Sequence, residues 1–154
     1  MTQFAAVSKL VDTLRNDPKV LIYGQNIATA IVEGPANHCA ATLSALLVFV
    51  GVYPNGGGTG SGDLEPWVPS LAFDLEKRRT WGRVEIGSTI QNGDVGVVIL
   101  DSGVHHIYLV VDATDQTLPV IADNQATSLH PRAVPGDLGQ NWSPTSFFLR
   151  PPDL

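Results

Sequence analysis

Apolar residues along the first fifty positions follow a helical period. Phe4, Val7, Leu10, Val11 and Leu14 recur at spacings of three and four, and Asp17-Pro18 ends the pattern. A short apolar segment, Val20 to Tyr23, follows, and the chain then reads as a loop through Gly34-Pro35. Asn37 is a good N-cap for a second helix running to about Val50. Leu43, Leu46, Leu47 and Val50 form its main stripe, and Val48 and Phe49 widen it, so this helix is expected to be surrounded by protein. The apolar run Ala40 to Tyr53 has 14 residues, short of the roughly 20 that a membrane span needs.

The second half changes character. Tyr53 to Asp63, YPNGGGTGSGD, reads as a flexible loop, and Val68 to Arg79 as a third helix with Leu71 and Leu75 inward and EKRR outward. From Gly82 the runs GRVEI, VGVVILD, HHIYLVVD, LPVIAD and TSFFLR are β-branched or aromatic. Turn residues such as Gln91-Asn92-Gly93-Asp94 and Asp101-Ser102-Gly103 separate them. Helices first and antiparallel strands second is an α+β order, with a sheet of about five strands in one domain over residues 1–154.

Composition narrows the functions open to such a domain. The chain has 154 residues, 44% hydrophobic and 16% charged, enough for an ordered core. A net charge of −6 argues against general nucleic-acid binding, which needs clustered Lys and Arg. One cysteine, Cys39, excludes an internal disulfide and a Cys-rich zinc site. No HxxxH or CxxC spacing is present, and adjacent strand histidines point to opposite faces, so no metal and no cofactor is expected. The Gly-rich loop lacks the Lys of a phosphate-binding loop. The N-terminus has no apolar signal-peptide core, so a protein made in the cytoplasm, with no membrane association, is expected.

Cys39 falls near the start of the second helix, where free N–H groups and the helix dipole favour an anion and lower a thiol's pKa. A small buried core residue is the alternative reading of a free cysteine. Of the histidines His38, His105, His106 and His130, His105 and His106 open a strongly β-prone strand. A strand's first residue is firmly held yet lies at the sheet's rim, which suits a general base. Another strand ends in Asp123-Asn124-Gln125, a source of a carboxylate or amide to orient an imidazole.

In this order the parts resemble the papain-like cysteine amidases and peptidases that cut bacterial peptidoglycan, the NlpC-type and CHAP families. The segments that carry the resemblance are NHCAATLSALL, LEPWVPSLAFDLEKRRTWGRVE, QNGDVGVVI followed by HIYLVVD, and VIADN followed by a terminal FFLRP strand. They cover nearly the whole chain from Tyr23 onward. The resemblance implies a papain-like fold with Cys39 as nucleophile, His106 as general base and Asp123 as orienting residue. His105 is the second choice for the base, and Asn124 or Gln125 for the orienter. It also implies Gln25 or Tyr23 near the oxyanion, and Trp81, in the Trp-Gly element, at the substrate groove. The chain departs from NlpC enzymes in having His38 where they have Asp before the Cys, and Ala40-Ala41 where they have Ser-Gly after it.

The expected activity is acyl transfer from peptidoglycan peptide amides, in a protein delivered to the wall by a phage or a secretion system, with an inhibitor or delivery protein as a further partner. Two other readings stay open: a non-catalytic module using the same groove for binding, and an intracellular cysteine deamidase or acyltransferase.

Overall fold

Helix α1, Gln3–Asn16, is capped by the Thr2 hydroxyl, which accepts from the Ala5 amide at 3.0 Å. Its inward face is Val7, Leu10, Val11 and Leu14, as the periodicity predicts. The computed structural model describes residues 1–32, 38–52, 65–137 and 139–153. Expectations for Asn37 and for the Tyr53–Asp63 loop lie outside them.

After Asp17-Pro18 the chain enters a full helix, α2, Lys19–Ile31, where the sequence reads as a short segment and a loop. The reason lies in its buried face, Leu21, Gly24 and Ala28. Small residues give little hydrophobic signal, yet they let helix axes approach. A Cβ on Gly24 would meet the Leu46 side chain at 2.9 Å. Helix α3, His38–Phe49, is buried at every position from Cys39 to Leu47, the all-round burial expected of it. Helix α4, Val68–Phe73, carries Pro69 in its first turn and continues into one wider π-helical turn, Asp74–Arg78.

The strands are β1 (Gly82–Val84), β2 (Val95–Ile99), β3 (His105–Asp112), β4 (Val120–Ala122), β5 (His130–Pro131) and β6 (Phe147–Arg150). They form one six-stranded sheet in the order β1-β6-β2-β3-β4-β5, with every neighbour antiparallel. The sixth strand is β5, two residues ending in proline and too short to show alternation. The chain is α+β, with four helices and this sheet among the described residues.

Alternation along the strands divides the core in two. Val95, Val97, Ile107, Leu109, Val111 and Leu149 pack with the helices, and Cys39 belongs to this inner cluster. Tyr108, Val110, Ile121 and Phe148 pack on the opposite face. His106, two residues before Tyr108, shares that outer face, while Ile107 points to the helices. Tyr108 has room because its cross-strand partner is Gly96, where any Cβ would run into the ring. The Gly93-Asp94 turn is pinned to the last strand. Buried Asp94 accepts Arg150 Nε at 2.9 Å and a second guanidinium nitrogen at 2.8 Å, and also the Gln91 amide at 2.8 Å. Among the described residues no helix is long and apolar enough to cross a membrane.

Candidate active site

Strand β3 presents His106, and the short β4 decides what it meets. Leu109 pairs with Ala122, where β4 ends, so the next residue, Asp123, lies beside the open end of the β3 ladder. Its Oδ2 is 2.8 Å from His106 Nε2, with no exposed surface on the Asp123 side chain. A carboxylate only accepts, so Nε2 carries the hydrogen and donates it. In the neutral ring Nδ1 is then the basic nitrogen.

The same opening serves Cys39. The Val110 amide and carbonyl bond to Asp94 and Gly93 on the β2 side, both at 2.8 Å. Backbone groups alternate along an antiparallel strand, so those of Ile107 point the other way, toward β4. There β4 has ended, and the Ile107 amide faces the Cys39 sulfur instead, where it favours the thiolate. The nucleophile candidate thus sits at the second residue of α3, against the peptide unit that follows His106. Among the described residues no hydrogen bond joins Cys39 to His106 directly.

The expectation of a lowered thiol pKa is overturned. Burial pushes the Cys39 thiol above its ordinary value, and the Asp123 charge adds to the rise. The amides of Ile107, Ala40 and Cys39 pull the other way and do not prevail. The helix start does what its dipole predicts, but desolvation is the larger effect.

Asp123 has a further partner that the sequence reading left without a role. Its Oδ1 accepts the Gln125 amide at 2.9 Å and lies 2.9 Å from His130 Nε2. Ile121 pairs with His130 across β4 and β5, which brings this ring to the face that carries His106. Burial alone would raise the Asp123 carboxyl, but the hydrogen bonds and charges of His106 and His130 hold it well below the usual carboxylate range. The Asp123 bond in turn raises His130, against the opposing effect of burial. A two-residue strand offers no alternation, so only its pairing in three dimensions reveals His130.

The other expected residues fall in varied places. Gln25 reaches the site as a tether: its Nε2 donates to the Asp123 carbonyl at 2.9 Å and the Ala126 carbonyl at 2.7 Å. Both amide hydrogens are spent, so the oxyanion role is corrected to a structural one. Tyr23 is half exposed and packs on Phe49 with ring centroids 6.0 Å apart. Phe49 ends α3 and Cys39 begins it, roughly 15 Å apart at the helical rise, so Tyr23 is not at the oxyanion either. Trp81 is a core residue rather than a groove residue, because its ring is buried with the helices and its indole N–H donates to Gln3 Oε1 at 2.8 Å. His105 turns away from Asp123 and meets the exposed Trp67, centroids 6.1 Å apart.

Asn124 helps line a polar pocket of about 220 Å3 with Gln25, Asn26, Thr29, His38 and Thr42. Two of these lining residues carry buried oxygens, Thr42 Oγ1 and Asn124 Oδ1, with no hydrogen-bond partner among the described residues. A wider groove of about 730 Å3 runs past His130 toward Trp142. Among the described residues no cluster of His, Cys, Asp and Glu is arranged to hold a metal ion.

Compared with known proteins, the chain matches no family model, and no curated protein or solved structure is significantly similar to it.

Proposed function

We propose that the chain is a cysteine hydrolase of papain-like design that cleaves peptide amides of bacterial peptidoglycan by acyl transfer. The observation that carries this reading is the 2.8 Å bond from His106 Nε2 to the buried Asp123, on the strand whose next residue, Ile107, faces Cys39 at the start of a buried helix. Peptidoglycan as substrate, and delivery by a phage or secretion machine, come from the resemblance of the GD strand, His strand and Cys helix to NlpC and CHAP enzymes.

In this mechanism His106 Nδ1 takes the Cys39 thiol proton as the sulfur attacks the amide carbonyl and the S–C bond forms. Amides at the start of α3 stabilise the oxyanion. His106 gives its proton to the leaving amine as the C–N bond breaks. Water then attacks the thioester as His106 accepts its proton, the S–C bond breaks, and His106 returns that proton to the sulfur as the acid product leaves.

One observation favours a second reading, a binding module on the same scaffold: burial raises the thiol, and the Ile107 amide rather than the His106 ring is what acts on it. Digestion of purified cell walls of several chemotypes by wild type and Cys39→Ala, read by mass spectrometry, decides between the two. Fragments present only with wild type support the hydrolase. Their absence across all chemotypes removes it.

A further inference from the structure

Both ring nitrogens of His130 face acceptors. Nε2 lies 2.9 Å from Asp123 Oδ1, and Nδ1 lies 3.0 Å from the Pro131 carbonyl oxygen. A carboxylate and a peptide carbonyl can only accept, so each bond needs a hydrogen on the ring nitrogen. A ring that makes both bonds is an imidazolium.

We propose that His130 is a positioning residue that acts through Asp123: as an imidazolium it fixes and neutralises the buried carboxylate, leaving His106 a neutral base with Nδ1 unprotonated. The role as base rests on the hydrolase reading; the electrostatic link does not.

The need for such a residue follows from the burial of Asp123. Its Oδ2 accepts from His106 at 2.8 Å, and its Oδ1 would lack a charged partner were His130 not 2.9 Å away. A base that already holds a proton on Nδ1 cannot take one from Cys39. With His130 charged, the buried group of His106, Asp123 and His130 is neutral at rest. It then gains its positive charge on His106 only when the thiol gives up its proton.

The charges that face His130 are consistent with this. Asp123, just past the end of β4, favours the imidazolium, and Arg132, just past the end of β5, opposes it. His106 meets it from β3 only across the shared carboxylate. The described residues that line the groove beside it, Gln125, Ala126, Pro131, Gln140, Asn141 and Trp142, carry no charge. The net effect on His130 is a raised pKa, led by the Asp123 bond.

Nitrogen NMR of the wild-type imidazoles is the first arm of the test. At pH 6.5 both nitrogens of His130 are expected to be protonated, and a neutral ring overturns the proposal. His130→Gln, which can still donate to Asp123 Oδ1 but carries no charge, is the second arm. The titration midpoint of the His106 ring protons should lie higher in the variant than in wild type. On cell-wall substrate, kcat/KM should fall about tenfold at pH 6.5 and recover at pH 8.5. An unmoved midpoint, or a rate loss equal at all pH values, means a merely structural role and overturns the proposal. If wild type cleaves nothing while the midpoint still moves, the hydrolase reading fails and the link between the histidines stands. If the variant does not fold, the wild-type spectrum alone decides.

Discussion

The side-chain amide of Gln25 donates to the main-chain carbonyl of Asp123, so a residue of α2 holds the backbone whose side chain orients His106. Gln25→Ala should lower stability by about 1–3 kcal/mol, since two part-buried carbonyls lose their donor. Thermal unfolding measures this, and kcat should drop only as far as Asp123 loosens. Unchanged stability with a collapse of kcat would instead return Gln25 to the oxyanion.

Burial governs the reactivity of Cys39. Alkylation by iodoacetamide at pH 6 should be slower than that of a model thiol, and the rate should climb only above the ordinary thiol range. A labelling rate at pH 6 well above that of free cysteine would contradict the raised thiol.

Between the paired histidines, only His106 contacts Asp123. Under the proposed mechanism, His106→Ala should lower kcat by a factor of about 100 or more. His105→Ala removes an edge contact with Trp67 and should leave most of the turnover. Steady-state kinetics of the two variants on one substrate checks the assignment, and equal losses would refute it.

Stability should respond to pH through the same carboxylate. His130 has a raised folded-state pKa, so its contribution is fully present below the unfolded histidine value near 6.5 and is lost as pH rises through the higher folded value. Asp123 is lowered, so its contribution is present above the unfolded carboxylate value near 3.8 and is lost as pH falls toward its folded value. Denaturant titrations across pH 5 to 9 should show the alkaline decline in wild type, and His130→Gln should flatten it. A decline of equal size in the variant would assign it to another group.

Gly96 is tested by size alone. Gly96→Ala places a methyl group into the Tyr108 ring and should destabilise by at least about 1–3 kcal/mol. The effect should shrink when Tyr108→Ala is made in the same chain, which a double-mutant cycle measures.

What the sequence makes legible depends on how strongly each segment patterns. Helices α1 and α3 are written in large aliphatic residues, and β2, β3 and β6 in β-branched and aromatic ones, so their places are read directly. Helix α2 is written in Gly24 and Ala28, which signal close approach only when Leu46 is there to be approached. Within the site, the meeting of His106 with Asp123 follows from the order of strands, but that of Asp123 with His130 depends on a turn whose path no local pattern records. The thiol is the sharpest case. Position at a helix start is visible in sequence, whereas the extent of desolvation belongs to the packed core.

Strand β6 joins two partners far back in the chain, pairing with β1 on one side and β2 on the other. Until residues 147–150 arrive, β1 has no attachment to the sheet and β2 keeps a bare edge, open to pairing with another chain. Contacts this distant in sequence close slowly. A chain cut short before Phe147 is therefore expected to be aggregation-prone rather than merely weakened, and the last strand acts as a checkpoint on assembly.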